Sequence, residues 1–275
     1  MSAVSPASSA LAPENRPLKN HVGPLATARQ SLIMAWRGLI KVRRTPEQLF
    51  DVTLQPIVFT LMFTYIFGGA IAGDVGSYLP MFIPGIAVQT VLTASVVTGV
   101  QLREDMDKGV FDRFRSLPIA RSAPLAGALI ADLVRYLIAS VLTFVMGVLI
   151  GYRPEGGLLG MIGAILLMMG VAWAISWIFA FFGVIGRSAS AVQGVSFLIL
   201  FPLTFLSNIF VPVDTMPGWL QAFVNINPVS YLVTAARDLA NTGGAGIEVL
   251  WAIVGALVVV LVFAPLTVRA YMRRT

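Results

Sequence analysis

The chain has 275 residues, of which 57% are hydrophobic and 12% charged, with a mean hydropathy of +0.84. This composition excludes an ordinary water-soluble globular domain and points to several membrane spans. The absence of cysteine excludes a disulfide framework and thiolate metal sites. The formal charge of +6 fits basic residues held at the cytoplasmic side of a membrane better than a nucleic-acid-binding patch.

Residues 1–24 are rich in Ala, Ser and Pro. They read as a disordered cytoplasmic tail, and not as a signal peptide, because no positively charged start leads into an apolar core. The only histidine, His21, lies in this tail. Residues 25–44 (LATARQSLIMAWRGLIKVRR) form an amphipathic pattern. On a helix Leu32, Ile33, Trp36, Leu39 and Ile40 share one face, with Arg37 and Lys41 off it. A basic amphipathic helix lies in the inner membrane interface. A helix packed on cytoplasmic protein carries a similar signature, so the residues alone leave both readings open.

Residues 25–275 read as one all-α polytopic membrane domain. Six stretches approach the roughly 20 apolar residues needed to cross a bilayer as helix. They fall at 52–72, 80–101, 129–151, 158–185, 190–212 and 248–268, and 158–185 is long enough to tilt or break. Arg16, Lys19, Arg29, Arg37, Lys41, Arg43 and Arg44 precede the first. Arg103, Lys108, Arg113, Arg115 and Arg121 lie between the second and third. Arg187 joins the fourth to the fifth, and Arg269, Arg273 and Arg274 follow the sixth. Only Arg153 and Arg237 fall on the other side, while Arg135 sits near the start of a span. The positive-inside rule therefore places both termini in the cytoplasm.

Between the fifth and sixth spans, Pro217 and Pro228 each suit the first position of a short helix, and Asn227 suits a cap for the second. Trp219, Leu220, Phe223 and Val224 line one side of the first. The expectation is two short amphipathic extracytoplasmic helices dipping into the outer interface, closed by Asn241-Thr242-Gly243-Gly244.

Much chemistry is missing. A phosphate-binding loop needs Gly-Lys-Ser/Thr after a glycine-rich turn. Lys19, Lys41 and Lys108 are followed by Asn20, Val42 and Gly109, so the chain has no such motif of its own. No residue is a candidate for catalysis, cofactor binding or metal ligation. Ion-driven transport usually needs ionisable groups within the spans. Asp132 and Arg135, three apart near a cytoplasmic span end, read as a snorkelling local pair and not a proton relay. The remaining polar groups, including Gln55, Gln89, Gln193 and Asn208, read chiefly as helix-packing residues. Gly160, Ala164, Gly170 and Ala174 show the small-xxx-small spacing of closely approaching helices.

The stretch from Leu102 to Gly127 (LREDMDKGVFDRFRSLPIARSAPLAG) concentrates charge around an apolar arc. Met106, Val110, Phe111, Phe114 and Leu117 share that arc on a helix, with Asp107 intruding. Glu104, Asp105, Lys108, Asp112 and Arg115 cover the rest, Arg113 flanks it, and Pro118 ends the helix. Mixed charge suits docking on a protein partner better than a lipid anchor. A solvated helix folding back on its own chain fits the same residues.

The run Gly109-Val110-Phe111-Asp112-Arg113-Phe114-Arg115-Ser116-Leu117-Pro118-Ile119-Ala120-Arg121 resembles the loop of ABC exporter permeases of the second type, in their daunorubicin-resistance branch. A second block agrees: Phe205-Leu206-Ser207-Asn208-Ile209-Phe210-Val211-Pro212, Met216-Pro217-Gly218-Trp219-Leu220, Asn227-Pro228-Val229-Ser230, and then Arg237. One departure is Ala128, where many relatives have a basic residue, which weakens any charge contact there. The resemblance implies a six-span permease subunit of the bacterial cytoplasmic membrane. It would pair with a second permease, expected to be an identical copy, and with two ATP-hydrolysing subunits that hold ATP and magnesium. The loop would be a coupling helix. By this resemblance Phe111 and Phe114 seat in an ATPase cleft, and Asp107, Asp112, Arg113 and Arg115 make rim pairs. Gly109 and Arg121 belong to the same motif, and Pro118 ends the helix. The expected cargo is a small amphiphilic drug, antibiotic or lipid-like molecule. Cell-envelope polysaccharide or lipid is the alternative cargo, and an ion-driven transporter or a scaffold the alternative class.

Overall fold

A computed structural model describes residues 24–44, 46–110 and 123–274, which are helices joined by turns. The helices are α1 (Pro24–Arg44), α2 (Pro46–Ala72), α3 (Val75–Asp107), α4 (Ala123–Ile150), α5 (Gly157–Ile185), α6 (Ala189–Phe205), α7 (Gly218–Ile226), α8 (Pro228–Thr242) and α9 (Ile247–Arg274). A 3-10 turn, Val213–Thr215, precedes α7. Among the described residues four helices are long and apolar enough to cross a membrane: Gly76–Asp107, Ala123–Ile150, Gly157–Ile185 and Ile247–Arg273. Thr53–Ile66 and Ala189–Phe205 are shorter apolar stretches. The expected tail, 1–23, lies outside the described residues.

α3 is the central helix and packs on α2, α4, α5, α6 and α8. Its start is capped by Asp74, which accepts from the Ser77 backbone N–H at 2.9 Å. Phe82, Ile83 and Ile86 are fully buried against Phe144 of α4, Met168 of α5 and Val233 of α8. α9 packs on α5 and α8 and leaves Leu250, Trp251, Leu257 and Leu261 exposed, as a helix at the edge of a lipid-solvated bundle should.

Several expectations are corrected. The fifth apolar stretch does not run to 212: α6 ends at Phe205, three residues after Pro202. Pro202 lacks an N–H and so removes one ladder bond just before that end. The fourth stretch neither breaks nor bends at a proline and is one helix, α5. Glu104, Asp105, Met106 and Asp107 do not begin a separate loop helix. They continue α3, which ends where Gly109 takes a left-handed φ of 63°. Phe111, Asp112, Arg113, Phe114, Arg115, Pro118 and Arg121 lie outside the described residues.

α8 is not an interfacial helix. Val229, Leu232, Val233, Ala236 and Ala240 belong to the main core. The apolar face was there to read, but lipid and protein interior select the same side chains. α7 fits the interfacial expectation better, with Trp219 exposed and Val224 buried.

α1 has one packed side and one exposed side. It packs on α4 through small residues: a Cβ added at Gly127 would lie 2.4 Å from Met34 Cβ, and one at Gly38 would lie 3.2 Å from Ala131 Cβ. Ser31 and Ala35 are buried in this contact, while Leu32, Ile33, Trp36 and Ile40 remain exposed.

Candidate functional site

Two polar assemblies interrupt the apolar bundle, one at each end. At the loop end, a cleft of about 280 Å³ opens between α1, α3 and α4, bounded by Arg37, Thr98, Gln101, Asp105, Asp132 and Arg135 among others. Asp132 and Arg135 form the expected pair, Nη1 to Oδ1 at 2.7 Å, as an i,i+3 contact on α4. They do not snorkel: their side chains are 4% and 6% exposed. Burial is tolerated because the lone pairs are used. Thr98 Oγ1 of α3 donates to Asp132 Oδ2 at 2.6 Å and lies 3.3 Å from the Tyr136 hydroxyl. This cluster fastens α3 to α4 just before the charged loop that joins them.

Below it α3 carries the start of that loop. Lys108 pairs with Glu104 at 3.1 Å, which holds its ammonium above the ordinary lysine value. Arg103 pairs with Asp107 and also donates through Nη1 to the Gly186 carbonyl at 3.0 Å, in the turn between α5 and α6. Of the expected loop residues, the structure therefore places Asp107 and Gly109: Asp107 in an ion pair, Gly109 at the break.

At the opposite end the second block folds into a knot. Arg237 on α8 donates from Nε to the Met81 carbonyl at 2.7 Å and from Nη2 to Asn208 and Ile209 carbonyls at 2.6 and 3.0 Å. Asn241, one turn on, donates to the Pro80 carbonyl at 2.8 Å. That carbonyl is available because Pro84, four residues later, has no N–H to offer it. Tyr78 donates to Phe210 O at 2.9 Å, and Tyr152 donates to Asn241 Oδ1 at 2.6 Å. The chain between α6 and α7 is thus tied to α3 and α8.

Sequence reasoning found Asp132, Arg135, Asn227 and Arg237, but missed Thr98, Arg103 and the paired glycines Gly99 and Gly183. A Cβ at Gly99 would lie 2.2 Å from Phe179 O, and one at Gly183 would lie 2.4 Å from Gly99 O. Glycines inside long apolar helices were the available signal. Of the small-residue set, Gly160 does approach α8, with Leu239 O 2.1 Å from an added Cβ, but Gly170 faces open space. Gln193 is exposed, and Asn208 donates to Thr234 at 2.9 Å.

Comparison with known proteins gives this architecture a family. The family model described as ABC-2 type transporter matches residues 29–240. The chain is 46% identical to a daunorubicin resistance ABC transporter permease protein of Streptomyces coeruleorubidus, over 88% of this chain and 85% of that one. It is 27% identical to a probable doxorubicin resistance ABC transporter permease protein of Mycobacterium tuberculosis, over 85% and 84%. A putative transport permease of Cyanophora paradoxa is 26% identical over 77% and 74%. Permeases of this kind work with an ATPase partner, and long apolar helices such as those among the described residues are what such a subunit requires. The chain belongs to the ABC-2 type transporter family, as a membrane permease.

Proposed function

We propose that this permease is the membrane half of an ATP-driven exporter for amphiphilic drug, antibiotic or lipid-like molecules. The observation that carries this reading is the 46% identity, over most of both chains, to a permease named for daunorubicin resistance. In this reading residues 52–72, 80–101, 129–151, 158–185, 190–212 and 248–268 mark six spans of a bacterial inner membrane, the fifth shortened to α6. Residues 1–24 form a cytoplasmic tail, α1 lies in the inner interface, and both termini are cytoplasmic. Two copies of the chain pair, and two ATPase subunits hold ATP and magnesium and carry out the hydrolysis.

The charged loop is the coupling element. Phe111 and Phe114 seat in a cleft of the ATPase. Asp107, Asp112, Arg113, Arg115 and Arg121 set the register, and Gly109 and Pro118 bound the segment. Closure of the ATPase pair on ATP displaces the loop and shifts the balance between two arrangements of the permease interface. Asp132 and Arg135, near one end of the third span, are spent on each other, which suits this division of labour, since no gradient-coupling group is needed where a separate subunit supplies the energy.

The test is reconstitution of permease and co-expressed ATPase in inverted vesicles, with daunorubicin uptake as the readout. Uptake should require ATP and survive an uncoupler. Changing Phe111 and Phe114 together to Ala should abolish uptake and ATPase co-purification. Undiminished co-purification and uptake would sink the coupling role, and uptake that persists without ATP would sink the exporter class.

A further inference from the structure

The root of the charged loop is tied to a second place on its own face of the bundle. Arg103 lies one turn before α3 ends. Its Nε donates to Asp107 Oδ1 at 3.0 Å, and its Nη1 donates at 3.0 Å to the carbonyl of Gly186, 83 residues later. Gly186 closes α5, its N–H bonding back to Phe182 O, and its extended ψ of 157° turns the chain away toward α6. Ser188 then caps α6 by accepting from the Ala191 N–H at 3.2 Å. The Arg103 side chain is 13% exposed and its bond to the Gly186 carbonyl is partly buried, whereas Asp107 is 44% exposed, so it is the carbonyl arm and not the solvated ion pair that makes the tie. A planar guanidinium can hold a carboxylate and a carbonyl in different directions at once, which an ammonium does poorly.

Beneath that bond α3 and α5 meet backbone to backbone. Gly99 lies one turn before Arg103, and Gly183 three residues before Gly186. An added Cβ at either would fall 2.2 to 2.4 Å from a backbone oxygen of the facing helix. The crossing and the Arg103 bond form one continuous patch, so α3 has no room to slide along α5. A displacement of the loop first meets helix at Asp107, the residue Arg103 holds. At the far end of the same patch begins α6, which leaves Phe197, Leu198 and Phe201 exposed.

We infer that Arg103 is a positioning residue that carries movement of the charged loop to the α5–α6 turn, so that α3, α5 and the start of α6 respond as one body. The inference rests on the coupling reading of the loop. Without Arg103 the loop would still drive α4, which it enters directly, but α6 would lag.

The test uses the assembled complex with its ATPase. In Arg103→Ala, ATP hydrolysis should stay near the parent rate. Daunorubicin moved per ATP should fall by about tenfold, the scale of an inter-site coupling free energy. Because the chain has no cysteine, Lys108→Cys with Arg187→Cys gives two clean spin-label sites. Their separation should be constant between nucleotide-free and ATP-bound states with Arg103 present, and become nucleotide-dependent in Arg103→Ala. Arg103→Lys, which keeps a charge opposite Asp107 without the fork, should move both readouts in the same direction and serves if Ala does not assemble. Unchanged transport per ATP, or a parallel fall of hydrolysis and transport with constant label separation, overturns the inference. Failure of the coupling reading is separate. It shows in the Phe111 and Phe114 double variant keeping ATPase and uptake, whereas the label separation still decides the Arg103 tie.

Discussion

At the residue scale, Asn227 serves both sides of one chain break. Its Oδ1 accepts from the Val229 N–H at 2.9 Å and caps α8, while its Nδ2 donates to Leu203 and Leu206 carbonyls at 2.8 Å each, at the end of α6. The capping half was legible, because Asn before Pro228 is a helix-start pattern. The donor half was not, since no local rule brings residues 203 and 206 to that amide. Replacing Asn227 by Ala removes a cap and leaves two carbonyls in an apolar setting, a cost of about 2–4 kcal/mol. Thermal unfolding of the purified permease should show it as a lower midpoint. Asn227→Asp keeps the acceptor but sets a carboxylate against two carbonyls, so it should be no more stable than Ala. A parent-like midpoint for that variant would contradict the donor role. Arg237 obeys the same logic with three carbonyls and no carboxylate in hydrogen-bonding reach of its Nε or Nη2.

At the scale of elements, two glycine positions that look alike in sequence separate in the structure. Gly99 abuts Phe179 O, whereas Gly170 has nothing within 4 Å of an added Cβ. Leu at 99 must push α3 off α5 against backbone that cannot rotate away, at a cost of about 3 kcal/mol or more. Leu at 170 should stay within about 0.5 kcal/mol of the parent. The folded fraction of each, read by gel filtration in detergent, should therefore drop for Gly99→Leu and hold for Gly170→Leu. α8 teaches the companion lesson. Its apolar face and both its caps, Asn227 and the left-handed Gly243, were readable. Whether that face met lipid or α3 and α5 was not, because hydrocarbon and protein core make the same demand on side chains.

At the scale of the whole molecule, α1 joins the bundle by its small side and turns its large side out. Ser31, Ala35 and Gly38 meet α4, and Leu32, Ile33, Trp36 and Ile40 are exposed among the described residues. In the proposed reading this apolar face, beside basic residues, lies in the headgroup region. A spin label at Ile33→Cys in lipid discs should be relaxed by oxygen and shielded from a water-soluble nickel chelate. The reverse pattern would put that face in water. α1 also lines the cleft with α3 and α4 through Met34, Arg37 and Gly38.

By itself the sequence determined the helical class, the four long apolar helices, the absence of a phosphate loop and the family motifs. Each of these is local: an apolar run, a cap, a proline or a short string of residues carries it. The tertiary structure alone decided the end of α6, the burial of α8, the buried pairing of Asp132 with Arg135 and the Arg103 tie. Those depend on which helix lies beside which. In a chain this apolar, hydropathy looks the same against lipid as against protein, so only backbone approach at glycines and buried polar partners could choose the neighbours.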